Sequence, residues 1–168
     1  MKTVCLLISL FLSGFSLFAE PEINQLRDLY AQSANSKKSA DQLLNLLKGA
    51  DKNSAAIYIG YKGAAEMMQA KYGFNPFSKY KSFKRGKLLL EEAVKKDDKD
   101  IEVRFLRFTI QTNLPQFLGY DKQVNQDKKF LLSHLNTVRD NKLKQNIVAY
   151  LTTSRHCSEQ EKMSLKYE

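Results

Sequence analysis

The chain is poor in the residues that build catalytic and metal centres. Its 168 residues include only two histidines and two cysteines. A zinc site takes three or four ligands, and nothing supplies the missing ligands at a recognisable spacing from the adjacent His156 and Cys157. Glycine-rich phosphate loops are also missing, and the paired acids Glu91 and Glu92 fall on helix positions that we expect to be exposed. We therefore predict a protein that is not an enzyme and that binds no cofactor or metal.

Scarce cysteine also limits how the chain is held together. Cys5 lies in the N-terminal apolar segment, so Cys157 has no intrachain partner once that segment is removed, and a disulfide framework is excluded. A free cysteine is most often a small buried hydrophobic residue, which is the role we expect here. The alternatives are a reactive thiol and a bridge between two chains.

The first 19 residues have the layout of a secretory signal peptide. They begin with one lysine, continue as an uncharged apolar run and end at Ala19, near which we expect cleavage. The alternative is an uncleaved anchor, but the run is short for crossing roughly 30 Å of hydrocarbon. Phe15 stands where a bacterial lipoprotein would need its cysteine. We expect one domain over residues 20–168, without a transmembrane segment, that is soluble in the bacterial periplasm or secreted.

Positive charge is in excess, with 27 lysines and arginines against 18 acids and a net charge of +9. The excess is spread over the last two thirds of the chain, with acids interspersed. It favours anionic partners over long range without naming one.

Apolar residues recur at intervals of three and four along almost all of residues 20–168, and no segment alternates with period two. The sequence therefore predicts an all-α fold. The expected helices are 22–34, one capped by Ser39, 54–72, one capped by Ser78, 100–113, 121–137, one from Asn141, and a last helix with a capping box of Ser158 and Glu161.

The helix expected over residues 100–113 is apolar over most of its circumference and should lie at the centre of the fold. Arg104, Arg107 and Gln111 form a polar stripe on it. The arginines either pair with acids on neighbouring helices or reach water, or they line a concave surface that receives a carboxylate or phosphate. The candidate lining of that surface is Tyr61, Arg104, Arg107 and Gln111, with Tyr120 at its rim.

The segment NPFSKYKSFKRGK, residues 75–87, combines aromatic rings with cations. If Ser78 caps its helix, Tyr80 and Phe83 share a face with Leu90 and Val94 and should point inward. Because nucleic-acid binding needs rings and cations on one exposed surface, we expect no nucleic-acid partner. The candidate basic face, for anionic envelope material, consists of Lys79, Lys81, Lys84, Arg85 and Lys87.

Residues 86–105, GKLLLEEAVKKDDKDIEVRF, resemble the second helix of a tetratricopeptide repeat running into the next repeat. Gly86, Leu90 and Ala93 match that helix's small, large and small packing residues, and Asp98 stands where proline is usual. The repeat period of roughly 34 residues is not kept. The whole chain also resembles short, lysine-rich exported helical proteins of bacteria. The resemblance implies an array of antiparallel helix pairs in a right-handed superhelix, with a closed helical bundle as the alternative.

Arrays of helix pairs leave an extended concave surface that binds peptides or partner helices. We therefore expect an interaction or scaffold module whose partner is another protein or peptide. The alternative is a charge-driven binder of anionic envelope components, either lipid head groups or polysaccharide. Salt distinguishes the two, because exposed charge contacts are screened over roughly 8 Å at physiological ionic strength.

Overall fold

In a computed structural model of the chain, residues 20–165 are described. These residues form eight α-helices and contain no β-strand, which confirms the all-α prediction. The helices are α1 (Ile23–Ser33), α2 (Lys37–Leu46), α3 (Ala56–Tyr72), α4 (Pro76–Lys96), α5 (Ile101–Asn113), α6 (Val124–His134), α7 (Asn141–Thr153) and α8 (Glu159–Ser164). Short 3₁₀ turns, Gln116–Leu118 and Leu135–Thr137, lie before and after α6.

The starts of α2 and α4 differ from the prediction. Ser36, not Ser39, caps α2, because the Ser36 side chain accepts a hydrogen bond from the Ser39 backbone N–H. In α4 the cap is Asn75 and not Ser78, with Pro76 at the first helical position. Proline suits that position because its fixed φ matches the helix and its missing N–H would have no intrahelical partner there.

Other helix starts follow the sequence more closely. Asp100 caps α5 by accepting two backbone N–H groups, as its carboxylate can at a helix N-terminus. Ser158 and Glu161 form the predicted capping box of α8. By contrast, α6 begins at Val124 and not at Asp121, and no side chain caps it.

The most extensive helix pair, α3 with α4, depends on two facing glycines. A Cβ added at Gly63 would lie 3.0 Å from the Gly86 carbonyl oxygen, and one added at Gly86 would lie 2.8 Å from the Gly63 carbonyl oxygen. The two helix backbones therefore touch where they cross, with no room for a side chain between them.

Helices that follow one another in sequence pack together from α1 through α6. The odd-numbered helices also contact one another in order, α1 with α3, α3 with α5 and α5 with α7. They form an inner layer, with α2, α4 and α6 packed against it. An ion pair of 2.7 Å between Arg27 in α1 and Asp140, the N-cap of α7, joins the two ends of this layer.

The centre of the fold is α5, as its apolar circumference predicted. Every residue from 102 to 112 is buried. Leu106 and Ile110 belong to a core shared with α1 to α4. Phe105 and Phe108 belong to a second core, shared with α6, α7 and the residues Cys157 and Leu165 on either side of α8. Because α5 contributes to both cores, it connects the two halves of the helical array.

Within residues 20–165, no helix has both the length and the apolar character needed to cross a membrane. The predicted signal peptide, residues 1–19, and its cleavage near Ala19 lie outside the described residues. The assignment of residues 20–168 to one domain and the periplasmic or secreted location stay predictions.

Candidate binding groove

A groove of about 1040 Å³ runs along the inner layer of helices. Every odd-numbered helix contributes to its lining, with Ala31 from α1, Met67 from α3, Ile110 from α5 and Ala149 from α7 among the residues that do so. The N-terminal half of α4 and the turn after α5 complete the walls. The groove is therefore lined by side chains from all four inner-layer helices.

A buried ion pair forms the polar part of the groove's floor. Arg27 donates from Nε to Glu102 Oε1 and from Nη2 to Glu102 Oε2, each at 2.8 Å. The Tyr61 hydroxyl donates to Glu102 Oε1 at 2.6 Å. The hydrogen bonds to Glu102 raise the pKa of Arg27, and burial, reinforced by the Glu102 charge, raises the pKa of Tyr61. Both side chains keep their protons at neutral pH and anchor the carboxylate.

Two further tyrosines, Tyr30 in α1 and Tyr150 in α7, join their helices to α5. The Tyr30 hydroxyl lies 2.7 Å from Thr109 Oγ1. The Tyr150 hydroxyl lies 2.7 Å from Thr112 Oγ1 and accepts a hydrogen bond from Asn113 Nδ2 at 2.6 Å. Burial raises the pKa of both tyrosines. Each tyrosine hydroxyl is thus hydrogen-bonded to a side chain of α5. The groove wall between the two tyrosines is therefore apolar.

The open side of the groove carries exposed rings and cations. Phe117 is 86% exposed and Tyr80 is 59% exposed, and both line the groove. Lys71 and Lys79, also exposed, lie along the same opening. The groove thus offers apolar contact along its walls and positive charge at its mouth.

The predicted lining residues are not all brought together. Tyr61 borders the groove, but Arg104, Arg107, Gln111 and Tyr120 do not, which corrects the predicted lining. All four are buried on the side of α5 that faces α4 and α6. The polar stripe on α5 therefore lies outside the groove.

Asp127 in α6 is the partner of both arginines. Its Oδ1 accepts from Arg104 Nη1 at 2.9 Å and from Arg107 Nη2 at 2.8 Å, and its Oδ2 accepts from Arg107 Nε at 2.7 Å. Asp127 is fully buried, so it needs such neutralising donors. Of the two alternatives left open by the sequence, the structure shows the arginines paired with acids of neighbouring helices.

Glu91 belongs to the same cluster. It accepts from Arg107 Nη1 at 2.9 Å and from the Tyr120 hydroxyl at 2.7 Å, so it is not the exposed acid that the sequence indicated. Gln111 donates to Gln123 Oε1 at 2.9 Å, while its own oxygen has no hydrogen-bond partner within residues 20–165.

The predicted basic face is spread around α4. It consists of Lys79, Lys81, Lys84, Arg85 and Lys87. Lys79 lines the groove, and Arg85 pairs with Glu66 at 2.9 Å. The Lys87 ammonium lies over the Tyr120 ring, 5.0 Å from its centroid. The five cations therefore have different surroundings and do not form one uniform surface.

The aromatic rings of this segment are less buried than predicted. Phe83 points inward and is 7% exposed, but Tyr80 is 59% exposed, which contradicts its predicted inward position. Tyr80 stacks beside Phe83, with ring centroids 6.4 Å apart, and no helix covers it. Phe77 and Phe74 are 86% and 98% exposed. Rings and cations thus share an exposed surface here, contrary to the separation that the helical phase indicated.

Cys157 is buried, as expected from the sequence, whereas His134 lies at an exposed position of α6. The His134 ring stacks on Phe130 with centroids 4.0 Å apart. Cys157 is 5% exposed, and burial raises the pKa of its thiol, which makes it a poor nucleophile. Across the part of the chain that the structure describes, no three His, Cys, Asp or Glu side chains are placed to hold a metal ion.

Sequence reasoning missed Arg27 and Asp127, although a signal was present for each. Arg27 lies four residues after Ile23 in the apolar stripe of α1. Asp127 lies three residues after Val124 and four before Leu131, on the buried face of α6. A charged residue at a core-facing position indicates a buried ion pair, because it could not be desolvated alone.

Comparison with known proteins adds no assignment for these sites. No protein-family model, curated protein or solved structure gives a significant match to the chain.

Proposed function

We propose that the chain is an exported bacterial interaction or scaffold module that binds a segment of another protein in its groove. The observation that carries the proposal is the groove itself, about 1040 Å³ of mainly apolar surface spanning all four odd-numbered helices. A partner segment would act through binding, without chemical change, since the groove's polar groups are already paired with one another.

The helix order supports a tetratricopeptide-like arrangement. In such arrays the first helices of successive pairs line the concave surface, and here α1, α3, α5 and α7 do so. The close contact of Gly63 with Gly86 supports the resemblance of α4 to a repeat's second helix. We propose a right-handed superhelix on this basis, in preference to a closed bundle.

The chemistry of the groove indicates the kind of segment that fits. An amphipathic helix can lay its apolar face into a groove of this type, which suits the walls around Ile110 and Ala149. The exposed cations at the mouth, Lys71 and Lys79, favour acidic residues at one end of that segment. We therefore propose an amphipathic partner segment with acidic flanks.

Site-specific photocrosslinking tests the proposal. A photoreactive phenylalanine analogue at Ala149, an exposed groove residue of α7, should form an adduct with a partner protein in cell envelopes. The matched control is the same analogue at Asn125, exposed on α6 outside the groove. Adding Ala31→Trp to the Ala149 probe should fill the groove and remove the adduct.

The adduct should survive moderate salt, because apolar groove contacts are not screened. Equal adducts at Ala149 and Asn125, or an adduct unaffected by Ala31→Trp, would show that the partner lies elsewhere. The helical signal in the far-ultraviolet circular dichroism spectrum of each variant establishes that the fold is retained.

A further inference from the structure

A second surface lies on the outside of α4 and does not belong to the groove. Phe77, Lys81, Lys84 and Leu88 follow one another at spacings of four, three and four, which places them in one stripe along the helix. All four are exposed, Phe77 at 86% and Leu88 at 67%. The stripe faces away from Gly86, where α4 contacts α3.

More exposed apolar surface adjoins this stripe. Phe74, in the turn before α4, is 98% exposed, and Tyr80 is 59% exposed. We define the outer face of α4 as Phe74, Phe77, Lys81, Lys84 and Leu88, and Tyr80, which lines the groove, lies beside it. Single exposed apolar residues are common on proteins, but several on one helix face mark an interaction site.

Cations surround most of the outer face, while Glu91 and Glu92, three and four residues after Leu88, adjoin its C-terminal end. Between Glu66 and Glu91 the sequence has six cations and no acid. Among residues 20–165, no carboxylate lies within ion-pair distance of Lys81 or Lys84. The Lys84 ammonium lies 5.7 Å from the centroid of the Tyr80 ring. Charge and exposed apolar surface are therefore combined on the same face.

We propose that the outer face of α4 docks onto an anionic phospholipid surface. Aromatic and aliphatic side chains would enter the boundary between head groups and acyl chains, while the lysines contact lipid phosphates. Long lysine stems suit this arrangement, because they can lie along apolar surface while the ammonium stays at the head groups. Charge complementarity identifies the occupant as anionic lipid.

The mixed composition favours a bilayer over single-stranded nucleic acid. Nucleic acid binds by stacking bases on exposed rings within a basic groove. Leu88 is exposed but has no ring on which a base could stack. The outer face is also the convex side of a helix and not a groove. The proposal is independent of the groove, so either can fail without the other.

The absence of tryptophan makes the test simple. The chain contains none, so Phe77→Trp in the full chain provides a reporter confined to the outer face. Its emission should shift to the blue on adding vesicles of equal parts phosphatidylglycerol and phosphatidylcholine, and lipids brominated on their acyl chains should quench it. Vesicles of phosphatidylcholine alone should produce neither change.

Two matched variants separate docking from other lipid binding. Met163→Trp places the reporter at another exposed apolar position, in α8, and its emission should not change. Lys81→Glu with Lys84→Glu, added to Phe77→Trp, should weaken vesicle binding at least about tenfold, since each basic residue contributes to attraction by an anionic surface. Residues 1–19 are the same in all variants, so a difference between two variants does not arise from them.

Three results would overturn the proposal. One is an unchanged Phe77→Trp emission with anionic vesicles, and another is an equal shift with neutral vesicles or at Met163→Trp. The third is the same shift with heparin or oligothymidylate in the absence of lipid, which would assign the face to a soluble polyanion.

Discussion

Arg27 and Glu102 are joined by two parallel hydrogen bonds of 2.8 Å that link α1 to α5 across 75 residues of sequence. The pair lies under the groove, where Tyr61 donates a third hydrogen bond to the same carboxylate. Such a pair costs desolvation energy when formed, but removing one partner leaves the other charge buried. Replacing only one of the two residues should therefore destabilise the protein at the floor of the groove.

We predict that Arg27→Met lowers the free energy of unfolding by about 3–5 kcal/mol, because it leaves Glu102 charged and buried. The side chains are 5% and 8% exposed, so solvent screens the pair little. The control is Lys37→Met, whose ion pair with Asp41 is about half exposed and should be worth less than about 1 kcal/mol. Urea denaturation of both variants measures the difference, and similar losses would contradict the prediction.

We predict that Gly63→Ala is destabilising even though alanine favours helices over glycine by about 1 kcal/mol. The new Cβ would lie 3.0 Å from the backbone oxygen of Gly86 and from the backbone nitrogen of Leu90, which cannot move without separating the helices. We expect a net loss of about 1–3 kcal/mol from overpacking.

Gly60→Ala is the matched control for Gly63→Ala. Its Cβ would meet only side-chain atoms, of which the nearest, Leu106 Cδ1 at 3.3 Å, is the end of a side chain that a small rotation can move away. The melting temperature of Gly60→Ala should therefore be higher than that of Gly63→Ala. The reverse order would show that the direct contact of α3 with α4 is not rigid.

The stability that the Asp140 carboxylate gives to α7 should be lost in acid. Its backbone hydrogen bond from Leu143, and then its contact with Arg27, lower its pKa from the ordinary 3.8. A carboxylate with a lowered folded-state pKa stabilises the protein above its unfolded-state pKa, and that contribution is lost as pH falls through the folded-state value. Asp140→Asn keeps a capping side chain but no charge.

The stability difference between the native chain and Asp140→Asn should be present at pH 7 and should disappear as the pH falls below 3.8 through the lowered pKa. Urea denaturation at several pH values measures it. A difference that is the same at pH 7 and in acid would mean that the charge of Asp140 does not contribute.

Cys157 should react slowly while the protein is folded. Its thiol is 5% exposed, and burial raises its pKa, so little thiolate is available to a reagent. In a Cys5→Ser chain, which keeps Cys157 as its one thiol, labelling by an aromatic disulfide reagent should be much faster in urea than in buffer. Equal rates, or a disulfide-linked dimer from the folded protein, would contradict a buried packing role.

Local signals in the sequence were enough to predict where several helices begin. The start of α5 at Asp100 was predicted to within one residue, and the capping box of Ser158 and Glu161 was predicted correctly, because a cap needs only residues within one turn. The α2 start was misplaced, since Ser36 and Ser39 are both capping residues and the sequence does not rank them. The central position of α5 also followed from its own composition.

The sequence by itself determined that the chain is helical and that α5 is buried, because periodicity and composition act locally. Only the tertiary structure decided which partners the charged residues find. Arg104 and Arg107 pair with Asp127 and lie outside the groove, while Arg27 pairs with Glu102 on its floor. Tyr80 stays exposed although its spacing resembles that of a core residue. Long-range pairing depends on how helices curve and cross, and helical period alone does not specify that geometry.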